Sequence, residues 1–187
     1  MLALDPPPGH VSAYALTVEP GTTLAAAPDR HPDDDDQADK YLLAEELLTG
    51  AGLASYEISN WARPGHRCRH NSLYWSGGDY RGIGCAAHSH AAGRRWWNVR
   101  TPDRYISLVG AGQPPAAGEE VLAPEARRLE ALQLSLRTSD GVPTDALDSD
   151  GLDGLDGLVA SQGDRLVLTT RGRLLANEVS LRLRTRR

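Results

Sequence analysis

Apolar residues fall along this chain in short runs that change period several times, and the changes mark the predicted elements. HVSAYALT, His10 to Thr17, is a mostly apolar run entered after Pro6 to Pro8, and it predicts a buried strand. Glu19-Pro20-Gly21-Thr22 turns the chain. Pro32 followed by Asp33 to Asp36 predicts a helix start, because carboxylates favour the positive end of a helix dipole and proline loses nothing in the first turn. Leu43, Leu47 and Leu48 would give that helix its apolar face, and Gly50 and Gly52 would end it. A short strand is expected at Tyr56 to Ser59 and another at Trp96 to Val99, with a helix from Pro102 to Val109 capped by Thr101.

Gly110 to Gly118, GAGQPPAAG, reads as a linker, since glycine and proline there oppose both helix and strand. Two domains are therefore expected, 1–112 and 113–187. In the second, a helix begins near Pro124 with Leu129, Leu132 and Leu136 on one face. Asp150 to Leu158 repeats Asp-Gly-Leu without meeting an EF-hand or nonapeptide calcium pattern, so it reads as a loop. Arg165 to Thr170 alternates like a strand, and Arg171 to Leu183 returns to helical spacing. Helices, a small strand pair and a final helix suggest a winged-helix-like α+β module.

Composition narrows what such a chain does. Its 187 residues suffice for one large domain or two small ones, and its 40% hydrophobic content is ordinary for a globular protein. No window approaches the ~20 consecutive apolar residues of a membrane span. The first residues lack the pattern of a signal peptide, so a cytoplasmic location and reduced cysteines are expected. A net charge of -5 argues against a general nucleic-acid binder. Arginines crowd the end of the chain at Arg165, Arg171, Arg173, Arg182, Arg184, Arg186 and Arg187, while Lys40 is the only lysine and phenylalanine is absent. That bias is a coding habit more than a functional signal.

Candidate chemistry concentrates between His66 and His90, in GHRCRHNSLYWSGGDYRGIGCAAHSH, which holds both cysteines and Tyr74, Trp75 and Tyr80. Thiolates and imidazoles ligate borderline metals and haem iron, and aromatics beside them offer flat apolar walls. The residues alone leave several readings open. The segment could be a polar surface loop. Cys68-Arg69-His70 with Cys85-Ala86-Ala87-His88 spells a Rieske-like Cys-x-His … Cys-x-x-His set, though without the glycine and proline pattern of those loops. The same residues could hold a structural zinc, although paired Cys-x-x-Cys clips are missing.

HVSAYALTVEPGT, YEISNWARPG, CRHNSLYW, GGDYRGIG, AHS and WWNV occur here in the order seen in the HemW-like haem chaperones, and RLVLTTRGRLLANEV resembles the end of the HemN-type C-terminal domain. By these motifs the chain resembles that family of radical S-adenosylmethionine proteins, related to the oxygen-independent coproporphyrinogen III oxidases. The resemblance implies an α/β fold: the C-terminal portion of a partial (βα) barrel, followed by the winged-helix-like HemN C-terminal domain. It implies a haem site at His70, with Asn71, Tyr74 and Trp75 completing the His-Asn-x-x-Tyr-Trp motif and His70 as axial ligand. Cys68 would be an alternative ligand, on the same side as His70 if the segment is extended. It places Tyr14, Ala15 and Thr17 near S-adenosylmethionine, with Gly82, Gly84 and His88 in the segment that closes over it. Cys85-Ala86 stands where a Pro-Gly pair is expected.

The family's Cys-x-x-x-Cys-x-x-Cys motif for a [4Fe-4S] cluster is absent from this sequence. Haem is therefore the ligand expected for this chain, and S-adenosylmethionine and the cluster belong to the complete family member only. The chain alone is expected to be catalytically inactive, to hand haem to an acceptor protein of unknown identity as part of a whole protein, and to self-associate. A coproporphyrinogen III oxidase-like radical enzyme is the alternative within the family. A partner-binding winged-helix-like module using Arg171, Arg173 and Arg182 is the alternative from another class.

Overall fold

A computed structural model describes residues 4–148 and 152–183. Met1, the Asp150-Gly151 opening of the Asp-Gly-Leu repeat, and Arg184, Arg186 and Arg187 of the basic end lie outside the described residues. In chain order the elements are β1 (His10–Ser12), α1 (Asp34–Gly50), β2 (Ala54–Glu57), β3 (Asn60–Ala62), α2 (Arg69–Trp75), β4 (His88–Ala91), β5 (Arg94–Asn98), α3 (Pro102–Gly110), β6 (Ala116–Val121), α4 (Pro124–Leu136), β7 (Val142–Pro143), β8 (Val159–Gln162), β9 (Arg165–Leu168), α5 (Thr170–Leu174) and α6 (Ala176–Arg182). They form two compact units, one from Met1–Cys68 with Leu136–Arg187 and the other from Arg69–Ser135. These units are cut at other places than residue 112.

The first unit grows from α1. Asp33 caps the helix, its carboxylate accepting the Asp36 N–H at 3.0 Å, and three further aspartates occupy the first turn. The buried stripe is Tyr41, Ala44, Leu48 and Ala51, at spacings of three and four, and it packs with Val11, Leu53 and Trp61. Leu43 and Leu47 were expected in that stripe, but they are 54% and 55% exposed, because they lie one residue round the helix from it. Strands β1, β3 and β2 form an antiparallel sheet in that order, with Trp61 opposite both Val11 and Ser55.

The strand predicted over His10 to Thr17 stops at Ser12. Its partner β3 begins at Asn60, and after one more bond, Ala13 N–H to the Ser59 carbonyl at 2.9 Å, the β2–β3 turn leaves no neighbour to pair. Tyr14 and Leu16 are consequently 72% and 56% exposed. Within the sheet the buried Glu57 carboxylate accepts the Ser59 N–H at 3.0 Å and the Asn60 amide, so it stays satisfied.

The same unit contains a second antiparallel sheet, order β7-β9-β8, with α5 and α6 beside a core of Leu136, Val142, Leu155, Leu166 and Val179. This is the small α+β module expected from the spacing. Gly172 is needed in α5 because a Cβ there would lie 1.8 Å from the Leu158 carbonyl oxygen. Arg173 and Arg182, considered above as partner contacts, are engaged internally: Arg173 pairs with Glu45 at 2.5 Å and Arg182 with Glu178 at 2.8 Å.

The second unit centres on the antiparallel sheet β4-β5-β6. The linker predicted at Gly110 to Gly118 is a correction: α3 ends at Gly110, Val99 N–H bonds the Pro115 carbonyl at 2.9 Å, and Ala116–Val121 pairs with β5. Alternating side-chain burial is weak on this edge strand, so the sequence carried no strand signal. Thr101 stands at the cap position of α3, but its side chain makes no cap bond. Arg95 ties the sheet to α4, reaching Glu120 at 2.8 Å and Glu130 at 2.6 Å.

Two alanines in this unit adopt left-handed backbone, Ala86 at φ 57 and Ala92 at φ 51. Ala86 belongs to the Cys85-Ala86 pair that departs from the family spelling, and a side chain in that region costs about 1–2 kcal/mol. Ala86→Gly is therefore expected to raise stability by about 0.5–1 kcal/mol despite the added freedom of the unfolded chain. A lower thermal midpoint for Ala86→Gly would show that this backbone is not strained. No helix among the described residues is long and apolar enough to cross a membrane.

Candidate functional site

The His-Asn-x-x-Tyr-Trp spacing lands on α2, and a helix explains it. Residues four apart stack on one face, so His70 lies beneath Tyr74, and Asn71 beneath Trp75 on the adjoining face. The His70 and Tyr74 rings meet edge to face at 4.8 Å between centroids and 87°, with Tyr74 Oη 3.3 Å from His70 Nε2. No residue of α2 is buried. The helix ends where Gly78 N–H bonds the Leu73 carbonyl at 2.8 Å, and a Cβ at Gly78 would come within 2.5 Å of the Leu73 side chain.

The aromatic row continues beyond the motif. Tyr80 meets Tyr74 at 4.4 Å and 66°, and His90 follows at 6.1 Å from Tyr80. Tyr80 and His90 are fixed by a pair of backbone bonds, Tyr80 N–H to the His90 carbonyl at 2.8 Å and the reverse at 2.9 Å. His90 Nδ1 lies 3.0 Å from the Gly78 carbonyl oxygen and 3.8 Å from the Asp79 carboxylate. Burial first, then the neighbouring Tyr74, pushes the Tyr80 hydroxyl above its ordinary range. Sequence reasoning placed Tyr80 only as an interleaved aromatic and gave His90 no role. Their partnership is made by an isolated bridge across ten residues, which leaves no periodic signal.

Cys68 and His70 share a side only in an extended segment, and the helix that starts at Arg69 removes that condition. Cys68 N–H bonds the Tyr56 hydroxyl at 3.3 Å, and neither cysteine is in a disulfide, both being of intermediate exposure. Among the described residues, no group of three or more His, Cys, Asp or Glu is placed to hold a metal ion. The Rieske-like and zinc readings therefore have no ligand set.

The residues expected around S-adenosylmethionine fall in both units. Tyr14 and Ala15 line a cavity of about 320 Å³ with Leu16, Gln37, Lys40 and Tyr41. Gln37 Oε1 and Tyr41 Oη are buried there without hydrogen-bond partners. Burial pushes the Tyr41 hydroxyl up to about 12, so it remains protonated near neutrality. Thr17 does not line the cavity. In the second unit, a Cβ at Gly82 would lie 2.2 Å from the His88 carbonyl oxygen, and the Gly82 N–H already donates to Ser89 Oγ at 2.9 Å. Gly84 N–H donates to Tyr105 Oη at 3.1 Å. His88 is exposed and lies 5.8 Å from Trp97.

The fold matches that of the coproporphyrinogen III oxidase HemN from Escherichia coli, described as a radical SAM enzyme, with a TM-score of 0.71 and 17% identity over 94% of this chain and 48% of that one. The fold of this chain is thus that of about half of the HemN chain. No protein-family model matches the chain. Curated relatives do: the haem chaperone HemW of Mycobacterium tuberculosis is 45% identical over 179 residues, covering 91% of this chain and 46% of that protein. HemW of Synechocystis is 41% identical over 149 residues, 75% of this chain and 36% of its own length. The chain belongs to the HemW-like family. It spans about half the length of the Mycobacterium relative.

Proposed function

We propose that this chain carries the haem-binding surface of a HemW-like haem chaperone, acting in the cytoplasm and passing haem to an acceptor protein. The observation that supports the reading most is the His70–Tyr74 pair on an exposed helix, an imidazole and a phenol in contact with Trp75 beside them. Haem iron takes either side chain as an axial ligand, and aromatics offer apolar area with polar tips for a porphyrin edge. In this reading His70 and Tyr74 face the iron, and Asn71 and Trp75 complete the surface. A coproporphyrinogen III oxidase-like activity is the runner-up of the same proposal.

For the complete protein the reading includes S-adenosylmethionine and a [4Fe-4S] cluster. The cavity at Tyr14 and Ala15 suits an adenosyl group, since apolar walls surround the unpartnered Gln37 Oε1 and Tyr41 Oη. The resemblance also assigns Gly82, Gly84 and His88, which lie in the second unit and outside this cavity's lining, to S-adenosylmethionine. The cluster does not fit this chain, which has only two cysteines. The chemistry S-adenosylmethionine would supply, cleavage of its sulfonium by a reduced cluster, therefore needs ligands that these residues do not provide.

A hemin titration followed by absorption tests the haem site. The wild-type chain is expected to bind, and His70→Ala to bind at least about tenfold more weakly, a difference of about 1.4 kcal/mol. Unchanged binding by His70→Ala, with loss in Cys68→Ala, would move the site off α2.

A further inference from the structure

We infer that a second cavity of about 320 Å³, in the first unit, binds a small organic carboxylate through the guanidinium groups of Arg137 and Arg173. Residues of α1, β2, β8, β9 and α5 line it, together with the segment that follows α4. It shares no residue with α2 or with the cavity at Tyr14 and Ala15. The hydrogen bonds of its walls point to a ligand that accepts. Both carboxylates in the lining are already used: Glu45 takes Trp61 Nε1–H at 2.6 Å and Arg173 Nη2 at 2.5 Å, and Glu57 takes the Ser59 N–H and the Asn60 amide. Arg173 still has a donor to give. Its Nη2 reaches Glu45 and Thr170 Oγ1, whereas its Nε is buried without a partner, on a side chain only 12% exposed. A carboxylate seated side-on against a guanidinium takes Nε–H and an Nη–H together, and so meets the donor that the protein leaves unmet.

Arg137 brings the second guanidinium fork, anchored by Nη2 on Asn177 Oδ1 at 2.9 Å. Burial pushes it below its ordinary range, the direction that an anion beside it reverses. Charge and shape then select the class of anion. Two arginines and two glutamates share the walls, so there is no excess of positive charge to hold a phosphate group, which brings about -1.5 to -2 near neutrality. A carboxylate brings a single charge. Ala54, Val167 and Leu168 supply an apolar wall for the hydrocarbon part of such a ligand, as small-molecule cavities commonly do beside a few convergent polar groups.

The test is a ligand-observed NMR titration of the full chain with valerate, its neutral isostere valeramide, and inorganic phosphate. Valerate is expected to bind at least about tenfold more tightly than valeramide, since only the ion makes charge-assisted bonds to a guanidinium, and more tightly than phosphate. Arg173 also holds Glu45, so Arg137 is the arginine to remove. Arg137→Gln should weaken valerate at least about tenfold with an unchanged thermal midpoint. Ala54→Leu takes away no polar group at an exposed position and narrows the apolar wall, so it should weaken valerate as well, and it decides the matter if Arg137→Gln fails to fold. Equal binding of valeramide, unchanged valerate binding in a folded Arg137→Gln or in Ala54→Leu, or no binding to the wild type would overturn the site. Tighter binding of phosphate than of valerate would overturn the carboxylate assignment.

Discussion

Trp61→Ala is expected to destabilise the unit built from Met1–Cys68 and Leu136–Arg187 by about 3–5 kcal/mol. Trp61 is fully buried, sits on the central strand β3, and packs with Val11, Leu48 and Leu53. Its ring meets Tyr41 at 5.7 Å, and its Nε1–H donates to the Glu45 carboxylate at 2.6 Å. Truncation therefore opens a cavity and takes one donor from a carboxylate that also pairs with Arg173. A domain of this size is stable by only about 5–15 kcal/mol, so the loss is a large share of the total. Trp61→Phe keeps a buried ring while losing the donor and part of the apolar volume, so it should cost about 1–3 kcal/mol. Urea midpoints of the two variants check the order, and a Trp61→Ala shift smaller than that of Trp61→Phe would show that this ring does not organise the core.

Reconstitution of the chain with iron and sulfide is expected to give no [4Fe-4S] absorption and no cleavage of S-adenosylmethionine. Such clusters are held by cysteine thiolates, four in the usual case, and the chain has Cys68 and Cys85 alone. The two lie in different compact units, and no metal-binding group forms around either among the described residues. Iron and sulfide analysis after desalting provides the measurement. A stoichiometric cluster with a Rieske-type paramagnetic signal would argue against the HemW-like assignment of the Cys-x-His segment.

Much of the helical framework was legible because its signals are local. The Asp33 cap and the run of aspartates announce α1, Pro102 opens α3, and Pro124 opens α4. What failed depends on partners distant in sequence. β1 is short because β3 offers nothing beyond Asn60, and Ala116–Val121 is a strand only because β5 lies beside it. The choice of Leu48 over Leu43 and Leu47 was likewise made by Trp61 and Val11, which a helical wheel does not contain. At the site, the motif was readable as a string, and its i, i+4 geometry follows once α2 is known to be helical. The Tyr80–His90 extension came from the bridge between them, and the consumed amides of Gly82 and Gly84 from Ser89 and Tyr105.

The first unit is assembled from the two ends of the described chain, with Arg69–Ser135 inserted between them. On a ribosome this sets a waiting time. Glu45, the Tyr56 carbonyl and Arg67 emerge early, whereas their partners Arg173, Ser139 and Asp140 emerge only after the whole insertion has been translated. At about 5–20 residues per second the delay is several seconds, far longer than a helix or hairpin needs to form. For that interval none of the three contacts that join the two segments of this unit can form. Slower translation of the insertion would lengthen that wait while leaving the finished fold unchanged.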